Sequence, residues 1–336
     1  MSERDSHQTL FGEASATGTV RAHTWVGGVA WQGDTYSSPA VAGFDYRHSV
    51  PAVFGQDDVA VNRHLTMSMS ARLDAHNEYG TFISPRVSTL VKPGGPWTMR
   101  FSAGRGYFAP SPFTEDTEAI GLRPVRPLAD LRAERADSVS GDVTWTKQAL
   151  EVTATVFFSR VRDALTVVET GDTDTPVAVV NAAGPTTTRG TEFIARFHRD
   201  DLDVILTHMF LWATEPSDGG RREVPLNPRH SAGLDILWEL GPARTGVELF
   251  YTGAQALEAN PYRRRGAPYL LCGALLDVAV SPRMRLFVNA ENLTDVRQTH
   301  TEPLIRHAPD AAGRWTVDAW EPIEGRTLNA GVRFKF

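Results

Sequence analysis

Cysteine is nearly absent. Cys272 stands alone among 336 residues, so neither an intrachain disulfide nor a thiolate-rich zinc site can form. No stretch approaches the roughly 18 consecutive apolar residues of a membrane-spanning helix, which excludes one. That absence does not exclude a membrane barrel, whose strands are apolar only at every second position. Basic residues form no run longer than Arg263-Arg264-Arg265, and the net charge is −6, so nothing marks a nucleic-acid binder. The start, Met1-Ser2-Glu3-Arg4-Asp5-Ser6-His7-Gln8, lacks the apolar core and cleavage site of a signal peptide. The ten His show no H-E-x-x-H or comparable spacing, so no metal and no cofactor is expected. Gly104-x-Gly106 has no third glycine and no following helix, which removes the dinucleotide reading. No nucleophile-elbow sequence is present, and the chain is not expected to be an enzyme.

Alternation is abundant. Leu65, Met67, Met69, Ala71 and Leu73 interleave with Thr66, Ser68, Ser70, Arg72 and Asp74. Trp97, Met99, Phe101 and Ala103 interleave with Thr98, Arg100, Ser102 and Gly104. The same pattern recurs over Ser138–Trp145, Arg229–Trp238 and Arg285–Glu291, with Phe287 as an exception in the last. Successive side chains of a strand point to opposite faces, so each segment predicts a half-buried antiparallel strand with one apolar and one polar face. The rhythm gives about 14 strands of roughly 9–13 residues, the first near Ala16 to Trp31. Such strands are longer than in ordinary globular sheets and suit a tilted membrane crossing.

Tight turns are marked at Pro93–Pro96, Thr146–Ala149, Arg199–Asp201, Gly241-Pro242 and Ser281–Arg283. Longer polar loops separate them, about Phe108 to Arg132, Glu169 to Thr187, Glu215 to Asn227, Gly253 to Ala267 and Leu293 to Glu324. Short turns at one end and long loops at the other are the pattern of an outer-membrane barrel. Trp97, Trp145, Trp212, Trp238 and Tyr251 sit near strand ends, where they would form an interfacial girdle or ordinary core contacts. The expected fold is all-β: an antiparallel outer-membrane-type β-barrel in one domain over residues 1–336, with a polar segment at 1–15.

By parity, Arg72, Arg100, Asp142, Glu192, Asp235, Glu248, Glu291 and Arg333 would face the lumen. Asp74, Arg86 and others share that parity. Charge is tolerable there, whereas an Arg on the lipid face at midplane costs about 2–4 kcal/mol. These groups would either meet a ligand or pair with one another, and the second is the commoner outcome. His230, at a strand start, reads as a capping or interface residue sooner than as a ligand. Arg263-Arg264-Arg265 reads as a solvated charge run sooner than as an anion site.

The chain ends in a strand, Arg326 to Phe336, with Leu328, Ala330, Val332, Phe334 and Phe336 on its apolar face. Other segments carry the same likeness: Ser84–Ser88 followed by Gly104–Pro112, Leu131–Ser138, Val180–Gly184 with Arg189–Glu192, Val224–His230 and Asn289–Asp295. In order and together, they resemble the carboxy-terminal part of the barrel of TonB-dependent outer-membrane receptors, best over residues 80–336. The resemblance implies a barrel of about 22 strands, a plug, a TonB box and a signal peptide. None of the last three is visible here, so the chain reads as part of such a barrel in preference to a smaller closed one. Val332, Phe334 and Phe336 would be the barrel assembly signal, and the implied partners are outer-membrane lipid and the insertion machinery. The TonB complex would be a partner only through an upstream plug. The implied function is uptake of a scarce ligand of the ferric siderophore or cobalamin class, by a chain not competent in transport alone. A passive pore and a soluble β-rich binding protein are the alternatives.

Overall fold

The computed structural model describes residues 5–38, 43–113, 125–172, 176–217, 219–258, 260–309 and 315–335. It is built almost wholly of strands. The main meander consists of β1 (Ser6–Val20), β2 (His23–Ser37), β3 (Tyr46–Asn62), β4 (Leu65–His76), β5 (Gly80–Gly94), β6 (Trp97–Phe108), β7 (Glu134–Lys147) and β8 (Leu150–Arg162). It continues through β11 (Thr186–Arg199), β12 (Leu202–Ser217), β14 (His230–Leu240), β15 (Ala243–Thr252), β18 (Tyr269–Ser281), β19 (Met284–Glu291) and β20 (Thr327–Phe334). Each strand pairs antiparallel with the next, and β13 (Gly220–Glu223) joins as the return arm of a hairpin on β12, completing a 16-stranded sheet. Among the described residues no ladder joins β20 to β1.

Turn chemistry explains the tight end. Arg21, Gln148, Asp200 and Gly241 open two-residue connections with φ of 54°, 54°, 53° and 59°, the positive values that hairpin turns require at their first position. Pro242 follows Gly241 because the second position of a type II′ turn needs the negative φ that proline supplies. At β5–β6 the register slips between Val91 and Gly94, where Gly94 has a φ of 115° that a side chain would strain.

Register fixes the faces. Met69 lies opposite Val87, Val87 opposite Ala103, and Ala103 opposite Val139, so these apolar residues form one row. Exposed members of that face include Leu73, Phe101, Val156, Phe193, Val332 and Phe334. A face this apolar and this exposed is built to meet something other than water. The opposite face carries the hydroxyls and charges, and the buried residues gather where the long loops fold over its end. They include Tyr36, His48, Asp74, His76, Phe82, Gln298, Glu302 and Trp320.

Two features differ from the sequence reading, and a third agrees with it. The sheet begins at Ser6, and the span expected as the first strand, Ala16 to Trp31, contains the Arg21-Ala22 hairpin turn. The long loops are themselves folded: β9 (Leu165–Glu169) pairs with β10 (Val177–Asn181), and β16 (Gln255–Ala256) with β17 (Arg265–Gly266). Phe287, out of pattern by parity, does sit on the polar face. It lies opposite Gly331, whose missing side chain makes room for its ring, with the Arg333 guanidinium 5.7 Å from the ring centroid. Phe336 lies outside the described residues.

Candidate functional site

The eight charged residues singled out by parity do share the polar face of the sheet. Arg100, Asp142, Thr155 and Glu192 form one continuous row across β6, β7, β8 and β11. Arg100 and Asp142 are cross-strand neighbours, yet no ion pair joins them among the described residues. Asp235 and Glu248 lie directly opposite each other with Gly273 next in the row, a like-charge juxtaposition that disfavours the strand pair. A cavity of about 370 Å³ opens there, lined also by Asn289 and Glu291. The Asn289 amide donates to the Glu291 carboxylate at 2.7 Å. Arg72 and Arg333 are spoken for: the first pairs with Asp74 at 2.8 Å, and the second lies 3.8 Å from Asp277. Val332 and Phe334 stand on the apolar face.

A denser cluster forms at the long-loop end of β1–β6, drawn from strand termini far apart in sequence. Tyr36 stacks on Tyr46 at 6.0 Å, Tyr46 on His48 at 4.5 Å, and His48 meets His76 edge-on at 4.7 Å. Tyr79 closes on His76 at 5.0 Å, Phe82 stacks on Tyr107 at 3.9 Å, and Phe113 caps Tyr36 at 4.8 Å. Carboxylates orient the polar atoms. Asp34 receives the Tyr46 hydroxyl at 3.2 Å and contacts His7 Nε2 at 2.8 Å, while Glu78 contacts His48 Nε2 at 3.0 Å. His76 Nδ1 accepts the Glu78 and Tyr79 backbone N–H groups at 3.1 and 3.3 Å, which leaves Nε2 to carry the ring proton. Burial, with Glu78 adding to it, pushes the Tyr79 phenol up to about 12, so it remains a neutral donor at physiological pH. Among the described residues no group of three or more His, Cys, Asp or Glu is placed to hold a metal ion.

A second assembly caps the other side of the same end. Glu302, 5% exposed, accepts from Trp320 Nε1 at 2.8 Å and from the Gln298 amide at 3.0 Å. It also pairs with Arg263 at 2.8 Å, whose guanidinium lies 4.9 Å from the Trp320 ring centroid. Gly266 packs flat against that ring, where a Cβ would come within 2.7 Å. The arginine run is therefore divided. Arg263 and Arg265 are tied to Glu302 and Glu223, and only Arg264 matches the solvated reading. His230 begins β14 with its ring 5.1 Å from Phe210 and Nδ1 3.3 Å from His208 Nε2, a side-chain contact on the apolar face.

Parity could not have found the aromatic cluster. Its members come from β1 to β6 and from the turn and loop beside them, and only pairing brings them level. The available signal was the recurrence of Tyr and His at the long-loop ends of consecutive strands: His7, Tyr36, Tyr46, His48, His76 and Tyr79.

Similarity to known proteins follows the same lines. No curated protein sequence matches the chain. Solved structures match its fold: a ferric enterobactin receptor of Pseudomonas aeruginosa in complex with enterobactin superposes with a TM-score of 0.78 at 15% identity, over 99% of this chain and 54% of that one. The copper transporter OprC gives 0.75 at 16% identity, over 99% and 57%. The FrpB iron transporter of Neisseria meningitidis gives 0.72 at 12%, over 99% and 56%. The chain thus spans a little over half the length of these structures. The family model for the TonB dependent receptor-like β-barrel matches residues 2–293, and the chain belongs to that family of outer-membrane receptor barrels.

Proposed function

We propose that the chain forms a ligand-facing part of the barrel wall of an uptake receptor for a scarce ligand of the ferric siderophore or cobalamin class. The observation that carries this reading is the aromatic and histidine cluster at the long-loop end, where Tyr46, Tyr79, Tyr107 and Phe113 offer ring faces beside oriented imidazoles. Planar ligand groups stack on such rings, and each contact contributes about 0.5–1.5 kcal/mol beyond burial. The polar face would line the lumen. Its row from Arg100 to Glu192 and the Asp235–Glu248 pair, without ion-pair partners among the described residues, then remain available to whatever occupies the barrel. Energy coupling would come from the TonB complex acting through a plug domain. The neighbours named for ferric enterobactin, copper and iron support a metal-bearing cargo in preference to a passive pore.

The test is a fluorescence titration of the full chain, folded in detergent, with a ferric catecholate chelate. Tyr46→Ala with Tyr79→Ala should weaken binding roughly three- to ten-fold per ring, while Arg264→Ala leaves it unchanged. Affinity unaltered by both tyrosine changes would remove the cluster from the ligand path.

A further inference from the structure

The apolar face carries a feature that ligand uptake does not use. On β8, β11 and β12, just beyond the last outward apolar residues at the long-loop end, lies a cavity of about 530 Å³ lined by Phe158, Thr187, Arg189, Trp212, Thr214, Arg221, Arg222 and Glu223. Pairing fixes its side of the sheet. Arg189 is opposite both Phe158 and Trp212, and its column continues through Thr191 to Phe193, the column of Trp212 through Phe210 to Leu206. Phe158, Phe193 and Leu206 are exposed members of the apolar face. The guanidiniums therefore sit where that face gives way to the loops.

Their charges are unequally balanced. Arg222 is held by Glu215 and Glu258, and Glu223 takes both Arg229 and Arg265. Arg189 and Arg221 have no carboxylate partner among the described residues, and neither does Arg160, which lies opposite Thr187. Arg189 lies over Trp212, 4.5 Å from the ring centroid, and makes no hydrogen bond among the described residues, so its donor fork is free. Arg221 is aimed by Pro185 O at 2.9 Å, Thr187 Oγ1 at 2.9 Å and Thr214 O at 2.7 Å. These partners are neutral, so they fix its position and leave its charge uncancelled.

We propose that this pocket binds the phosphate groups of an outer-leaflet glycolipid, with the acyl chains lying along Phe158, Phe193 and Leu206. A guanidinium fork engages phosphate through two parallel hydrogen bonds. An occupant that is both anionic and apolar fits a site with arginines whose charge no carboxylate among the described residues balances at its rim, and an exposed apolar wall beneath. The inference uses the outer-membrane placement and is independent of what the receptor transports.

The test measures retention of labelled bisphosphorylated lipid A by the full chain immobilised in detergent. Unaltered protein should retain at least ten-fold more bisphosphorylated than dephosphorylated lipid A. Arg189→Ala with Arg221→Ala should lose that preference. The charge-matched pair Arg264→Ala with Arg283→Ala, on a loop and a tight turn, should keep it. Excess inorganic phosphate should compete poorly, because it lacks the apolar part. Equal retention of the two lipids, an unaffected Arg189/Arg221 double variant, or full displacement by inorganic phosphate would each overturn the proposal. Far-ultraviolet circular dichroism checks the fold of each variant, and if the alanine pair does not fold, the two lipids on unaltered protein decide the matter.

Discussion

Trp320 is the residue on which the loop cap turns. It is 2% exposed, donates to Glu302, lies under Arg263 and covers Gly266. Trp320→Ala removes a fully buried aromatic at a typical cost of about 3–5 kcal/mol, and it withdraws one of the donors that offset the buried Glu302 charge. The expected outcome is local. Amide hydrogen exchange should rise over 255–258, 260–266, 298–309 and 315–320 while the β7–β8 ladder keeps its protection, and unchanged exchange in the cap would refute the role. Glu321, next in the chain, gives the cap a pH dependence. Burial raises its carboxyl above the ordinary range, against the Thr301 hydroxyl and Arg263, which work to lower it. An acid raised on folding stabilises below its unfolded pKa, and the contribution is lost as pH climbs through the folded value. Cap protection should therefore be greater at mildly acidic pH than at neutrality, and Glu321→Gln should flatten that difference.

At the scale of the strand, Gly190 shows how tightly neighbouring ladders are fitted. It lies opposite Phe157 on β8 and Leu211 on β12. A Cβ there would overlap the Phe210 carbonyl oxygen and come within 2.6 Å of the Phe157 ring, whereas one at Gly12 would meet nothing within 4 Å. Gly190→Ala should lower the yield of heat-modifiable folded protein by more than Gly12→Ala, and equal yields would show that the sheet relaxes freely at β11. The same strands show what the sequence makes legible. Leu65 to Leu73 and Trp97 to Ala103 alternate bulky with polar, so their faces can be assigned without coordinates. β1 escapes because its apolar face is mostly small: Leu10, Gly12, Ala14, Ala16, Gly18 and Val20 leave little contrast with Thr9, Glu13 and Ser15. The β9–β10 hairpin escapes because both arms are short, with the Val177–Val180 arm inside what composition marks as a loop and the Val167-Val168 arm just before it. The Tyr and His cluster depends on register from β1 to β6, which no single segment encodes.

The whole molecule is a sheet whose two faces answer to different solvents, and β8 offers a controlled comparison of them. Val156, 60% exposed, lies near the middle of the strand on the apolar face. Its neighbour Thr155 points the other way, between Asp142 on β7 and Glu192 on β11. An arginine placed at either position has the same length, charge and strand propensity, so any difference reports what each face meets. Val156→Arg puts a guanidinium in lipid near mid-height, at a cost of about 2–4 kcal/mol. Thr155→Arg sets it between two carboxylates that have no ion-pair partner among the described residues, where it should be neutral or stabilising. The heat-modifiable fraction of the full chain in lipid vesicles should fall steeply for Val156→Arg and hold or rise for Thr155→Arg. The reverse order would mean that the face carrying Arg72, Arg100, Asp142, Glu192, Asp235, Glu248, Glu291 and Arg333 is the one turned to the membrane, and the assignment of the lumen would fall with it.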